Sequence, residues 1–434
     1  MLVFAAEEND RIKYILDQIL VQQLGINYKI TDNLDYFTKS KSIRLNYSPN
    51  IIEGVVNIPS NSLLFETKII PQKIEVIDDP IWLKVFFKFA YEEVPDFQIE
   101  TSFLTFDLLS AGFYLLSRYE EYTSEQRDEH NRFKASSSIA YKNNFLKIPL
   151  IDHWVEEFKK KILAVYPALS FKSHHFTKIN TIDIDFAYKY KGRTKLEIAK
   201  KYLGSLLRFK PNYDVFKSIE NDPYDTYNYL TRFAGTSNIE TKFFFLLANN
   251  GKHDKNINPE SIEAIELYNR LSESHKCGIH PSYKASFDFN LLKSEVDTFK
   301  KVTGNAPKIS RYHFLKLKLP ESFKNLVKLE IEADYTLCYA DQIGFRASTC
   351  RPFEAYDLIN NTKFDLLLYS PCIMDVTLKN YLNYDQVTAK QCIKEMIEVT
   401  QKYQGKFISI WHNSSFDKEE GWLGWEKVYE SLFE

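Results

Sequence analysis

From Lys178 onward, short apolar runs alternate with longer stretches whose apolar residues recur at helical spacing. The runs at 179–186, 242–248, 277–280, 307–311, 364–370 and 407–411 predict strands. Helices are predicted at 194–208, 223–234, 289–302, 321–329, 386–402 and 425–432, with another whose face carries Ile262, Ile265, Tyr268 and Leu271. Strands that alternate with helices imply a parallel sheet, open or closed into a barrel. The first 170 or so residues read differently. They predict a helix at about 8–23, strand-like pieces at 51–57 and 63–70, and a helix at 105–122 with Phe106, Leu109, Phe113 and Leu116 on one face. A last helix, carrying Trp154 and Phe158, starts after Pro149. The polar stretch Ser170–His175 is the expected boundary, giving an N-terminal α+β domain at 1–172 and a second domain at 173–434.

The strand-like run Ile179-Asn180-Thr181-Ile182 leads directly into Asp183-Ile184-Asp185-Phe186. Residues i and i+2 of a strand point the same way, so the two carboxylates would stand side by side at its end. Like charges that close need a cation or donors between them. A metal with one acid as ligand and the other as base would satisfy this; a helix cap beside a solvated acid is the structural alternative. In parallel α/β folds reacting groups gather at the C-terminal ends of strands. Standing there are Asp183 and Asp185, His280, Arg311 with His313, and His412. His130, Arg118 and Arg132 in the N-terminal part show no spacing that demands chemistry and read as solvated charge.

Composition narrows the possibilities. The chain has 434 residues, and 56 basic against 58 acidic residues argue against a nucleic-acid or anionic-membrane partner. Five cysteines without a CxxC pair suit free thiols in a reducing, cytoplasmic setting. No apolar run approaches a membrane span, and no phosphate-binding or dinucleotide glycine motif occurs. Neither does a G-x-S-x-G elbow.

The strings Thr181-Ile-Asp-Ile-Asp185, Ser274-His-Lys-Cys-Gly-Ile-His280, Arg311-Tyr-His-Phe314 and Ile410-Trp-His-Asn413 resemble, in order, the motifs of the polysaccharide deacetylase (NodB-homology, carbohydrate esterase family 4) superfamily. With GFRASTCRPF at 344–353, they are similar to a divergent Bacteroidetes-type branch with an extra N-terminal domain. The resemblance covers roughly 178–415 and implies a distorted (β/α)7-type, TIM-barrel-like fold after a smaller α+β domain. It implies a hydrolase of carbohydrate metabolism that removes acetyl from an N-acetylated sugar of a surface or cell-wall polysaccharide or its precursor, using a divalent metal, most often zinc. Asp183 would be the base, His412 the acid, and Arg311 the group that orients Asp183. Asp185 and His280 would be metal ligands. The family's second metal histidine falls at Lys284, which has no lone pair to offer, so His313 is the expected replacement. Tyr312, Asp334, Arg346 and Trp411 would contact substrate, with the amide near Tyr312 serving the oxyanion. Two alternatives stay open: a non-catalytic carbohydrate-binding or assembly protein on a degenerate barrel, and a hydrolase of another amide or ester. Asp375 reads equally as a helix cap or a rim residue.

Overall fold

The computed structural model describes residues 1–89, 102–194, 198–199, 221–233, 239–248 and 251–434. Among these residues two principal sheets form. The first takes β1 (Leu2–Ala5), β2 (Lys29–Thr31), β3 (Arg44–Tyr47) and β4 (Val56–Ile58) in the order β2-β1-β3-β4. Every pairing in it is parallel, so this part is a small parallel α/β layer rather than the expected α+β arrangement. A two-stranded antiparallel ribbon, β5 (Ile77–Asp79) and β6 (Leu83–Val85), follows it.

The second sheet comprises β7 (Thr177–Ile184), β8 (Ile239–Phe245), β9 (Lys276–Ile279), β10 (Ile309–Ser310), β11 (Ala333–Asp334), β12 (Phe353–Asp357), β13 (Thr362–Leu368), β14 (Ile373–Met374) and β15 (Lys406–His412). Its order is β12-β13-β11-β10-β9-β8-β7-β15-β14, with only β12 antiparallel to its neighbour among the described residues. The sheet curls strongly. Ile179 on β7, Phe244 on β8, Ala333 on β11 and Ile408 on β15 share one inner cluster with Ile309 and Leu367. Four residues separate β13 from β14, and within them Tyr369 donates to the Asp334 carbonyl while Cys372 donates to that of Ile408. No ladder joins the outer strands β12 and β14 among the described residues. The observed architecture is therefore a curled, mostly parallel α/β sheet.

Side chains alternate across this sheet as a pleat requires. On β7, Ile182 and Ile184 are fully buried in the outer core, while Asp183 points inward. On β15, Ile408 and Ile410 join inner clusters and Trp411 faces out. Gly278 on β9 faces the inner cluster. A Cβ there would meet the Ile309 carbonyl at 2.5 Å and Phe244 at 2.9 Å, so only glycine lets the curled strands approach this closely.

The helices Phe289–Thr303, Glu321–Lys328 and Gln386–Lys402 fall where periodicity places them. The expected 105–122 helix is broken by Arg118 in the left-handed region, giving Leu108–Leu116 and Tyr119–Thr123. Residues 63–65 form a 3-10 turn rather than a strand. Ile262 lies 73% exposed, because the helix buries Ala264, Leu267, Tyr268 and Leu271 instead. The helix expected at 194–208 lies, but for residues 194, 198 and 199, outside the described residues. No described helix is long and apolar enough to cross a membrane.

Candidate active site and metal centre

The C-terminal ends of β7, β9, β10 and β15 bring four side chains to one point. Asp185 follows the last residue of β7, His280 the last of β9, and His313 lies three residues beyond β10, while His412 closes β15. One donor atom from each of Asp185, His280 and His313 lies within 4.8 Å of the others. Asp185 Oδ1 stands 3.2 Å from His280 Nε2, and Oδ2 stands 3.3 Å from His313 Nε2 and 3.8 Å from His412 Nε2.

Outer contacts set the tautomers. His280 Nδ1 donates to the Arg311 carbonyl, and His313 Nδ1 to Asp254 Oδ1 at 2.8 Å. With the proton fixed on Nδ1, each Nε2 lone pair faces the shared point, the arrangement that supports a metal-ligating imidazole. Asp254 is itself anchored by the Tyr283 amide at 3.0 Å. Asp185 Oδ1 is buried and has no well-aligned hydrogen-bond partner. A buried carboxylate oxygen left in that state is costly, and a cation among these donors would satisfy it. Two imidazoles and one carboxylate from separate strand ends are a donor set suited to zinc. Without a cation, burial works against charge on both partners. The positive charge of His313 and the close approach of both imidazoles outweigh it and hold Asp185 well below the usual carboxylate range. The Asp185 charge likewise lifts His313 to about 9 against its burial.

Asp183 and His412 flank this cluster. Arg311, fully buried, donates from Nη1 to Asp183 Oδ1 at 2.7 Å and from Nε to the Tyr335 carbonyl at 3.0 Å. The other oxygen of Asp183 lies 3.9 Å from His280 Nε2. Asp375, also fully buried, accepts from His412 Nδ1 at 2.9 Å and from its amide at 2.8 Å. Its Oδ1 also accepts from the Val376 amide at 2.6 Å, so from the start of the turn after β14 this buried acid supports His412. Burial disfavours a charged His412, yet Asp375, and more weakly Asp185 and Asp183, push it up to about 10.

These groups border a cavity of about 170 Å³ whose other wall is apolar, made by Leu315, Ala340, Met374, Val376 and Tyr381. Lys284, where the sequence resemblance would put a second metal histidine, is exposed to solvent.

Four expected substrate contacts fall elsewhere or are committed elsewhere. Asp334 is fully buried and accepts from Ser310 Oγ, the Thr336 amide and Thr336 Oγ1. It ties β10 to the segment after β11. Arg346 forms a two-point pair with Glu121 at 2.9 and 2.7 Å and so fastens the N-terminal part to the sheet. Trp411 packs outward against Phe416 and Tyr429, as strand alternation beside an inward His412 requires. Tyr312 borders the cavity, but its amide donates to Thr336 Oγ1 and its hydroxyl to the Ser322 carbonyl. That amide is therefore unavailable for an oxyanion.

Sequence reasoning also passed over residues that matter. Asp254 gave only the weak signal of an acid in a loop after a strand. Arg132, read as solvated, is 7% exposed and borders the cavity.

Comparison with known proteins adds context. Residues 1–167 match a protein family described as a family of unknown function (DUF7033). No curated protein matches the chain. Among solved structures, a candidate polysaccharide deacetylase from Mycobacterium smegmatis aligns at 12% identity with a TM-score of 0.39, over 60% of this chain and 85% of that one. A GH57-type branching enzyme from Pyrococcus horikoshii aligns at 11% identity and TM-score 0.33, over 60% of this chain and 67% of its own. The corresponding figures for a GH57 branching enzyme from Thermococcus kodakaraensis are 11%, 0.31, 60% and 68%. Likeness of this size leaves the function to be argued from the site.

Proposed function

We propose that this protein is a metal-dependent hydrolase that removes acetyl from an N-acetylated sugar of a surface or cell-wall polysaccharide or its precursor, on an incompletely closed (β/α) barrel. One observation supports this most: Asp185, His280 and His313 converge from three strand ends, with Asp183–Arg311 on one flank and His412–Asp375 on the other.

Asp185, His280 and His313 would hold a divalent cation, zinc by donor type. Such an ion, when bound, lowers the pKa of water and polarises a carbonyl. The chain's own groups divide the remaining work. Asp183, held by Arg311 so that one oxygen faces the cluster, takes the proton of the attacking water. His412, kept in its charged form by Asp375 on Nδ1, points its second N–H, on Nε2, toward the cavity and gives that proton to the departing amine. The wall of Leu315, Ala340, Met374 and Val376 takes the acetyl methyl and keeps bulk water from the amide.

Acetate release tests the reading. Purified protein is expected to release acetate from N-acetylated saccharides, to lose that activity on chelation and to regain it with zinc. No release from any saccharide offered, with metal present, would contradict it.

A further inference from the structure

Residues 127–133 belong to the N-terminal part of the chain, yet one of them, Arg132, borders the cavity. Arg127 and Phe133 pair as an antiparallel bridge. Within it Asp128 Oδ1 accepts from the amides of His130 and Arg132, and Asn131 completes the turn at φ 60. The turn delivers Arg132 to the cavity and fixes it at two points. Nε donates to Asp128 Oδ2 at 2.6 Å, and Nη1 to the Phe314 carbonyl at 2.8 Å. Phe314 adjoins His313 and, like Leu315, sits in the left-handed region, at φ 61 and 53. Non-glycine residues hold that conformation only when their surroundings enforce it, and the Arg132 bond is one such restraint. His130 adds another. Its ring packs edge-on against Phe314 at 4.7 Å, and its Nδ1 lies 3.4 Å from the Tyr283 hydroxyl.

Among the described residues the third guanidinium nitrogen, Nη2, makes no hydrogen bond. Arg132 borders the same cavity as Asp183, Asp185 and His412. A guanidinium N–H with no acceptor on the protein is available to donate to a polar ligand in that cavity, and Arg132 also lines the smaller pocket beside it.

We propose that Arg132 is a substrate-binding residue: its Nη2 donates to a hydroxyl or ring oxygen of the sugar that carries the scissile amide. The N-terminal region, whose family has no assigned role, would thereby supply specificity to the site. The choice of an N-acetylated sugar as the ligand rests on the proposed function above. Charge favours the ligand class. Asp128 already neutralises Arg132, so the guanidinium acts as a directional donor to an uncharged oxygen rather than as a bare cation awaiting a carboxylate.

The test is calorimetric titration of the full-length, zinc-supplemented protein with N-acetylglucosamine, with bound metal and thermal unfolding measured for every variant. The wild type is expected to bind. Arg132→Met should weaken binding about tenfold or more, the loss expected for one charged donor, at unchanged metal content. Arg132→Lys keeps the cation but not the fork, so it should also bind more weakly, and it decides the matter if the Met variant does not fold. Equal affinity in a folded variant, or no saccharide binding by the wild type, would overturn the proposal. A wild type that binds the sugar without releasing acetate sinks the hydrolase reading and leaves the Arg132 contact standing.

Discussion

Asp183 and Asp185 stand two residues apart on one strand face and receive opposite surroundings. Arg311 claims an oxygen of Asp183, while imidazoles surround Asp185. These surroundings suit the base and ligand roles proposed for the first and second acid. Asp183→Asn is expected to cut kcat about a hundredfold or more, the usual worth of a general base, and to leave bound metal unchanged. Parallel loss of metal would instead place Asp183 among the ligands. The DxD, His280, Arg311 and His412 were legible in the sequence because period-2 alternation and strand ends fix where such residues point. His313 was legible only because the resemblance would put a second metal histidine at Lys284, which cannot serve as a ligand. Trp411 was misread, since its neighbour His412 uses the inward position. Asp334 and Arg346 were misread because a polar residue tied to Ser310 or Glu121 looks, in sequence, the same as one awaiting a ligand.

Strands β7, β8, β13 and β15 are long enough for their apolar pattern to reveal them. At two residues each, β10, β11 and β14 carry no period; neighbouring strands fix their pairing. The curl was equally hidden, because it depends on contacts across the sheet. Gly278 is where that curvature meets a single side chain. Gly278→Ala is expected to destabilise the fold by about 1–3 kcal/mol through overpacking against Ile309 and Phe244, read by urea unfolding. A neutral result would mean that β9 and β10 have room to separate. The 127–133 turn was hidden for another reason. Its charges pair locally, Arg132 with Asp128, and nothing in the sequence says that this pair is seated over His313.

At the scale of the whole molecule, the division at residue 172 is a proposal about architecture rather than about independent folding. One apolar cluster runs from Val3 to Leu432. The segment around 344–354 stitches the two parts together. Phe345 donates to the Leu146 carbonyl, Arg346 pairs with Glu121, and Tyr14 donates to the Glu354 carbonyl. Glu121 is buried, yet its arginine partners hold its carboxyl down to about 2. Removing one member of such a buried cluster leaves charge uncompensated. Glu121→Gln is therefore expected to cost about 3 kcal/mol and to lower the melting temperature of the whole chain in a single transition. Two separate transitions, with only the first displaced, would show that the parts unfold independently. The same continuity brings Arg132 of the N-terminal region to the cavity bordered by Asp183, Asp185 and His412.

The most direct measurement for the account is elemental analysis of bound metal in the wild type and in His313→Ala, both shown to be folded. The account predicts one equivalent of zinc per wild-type chain and its loss from the variant. A folded wild type that takes up no divalent metal, or a variant that keeps a full equivalent, would contradict it.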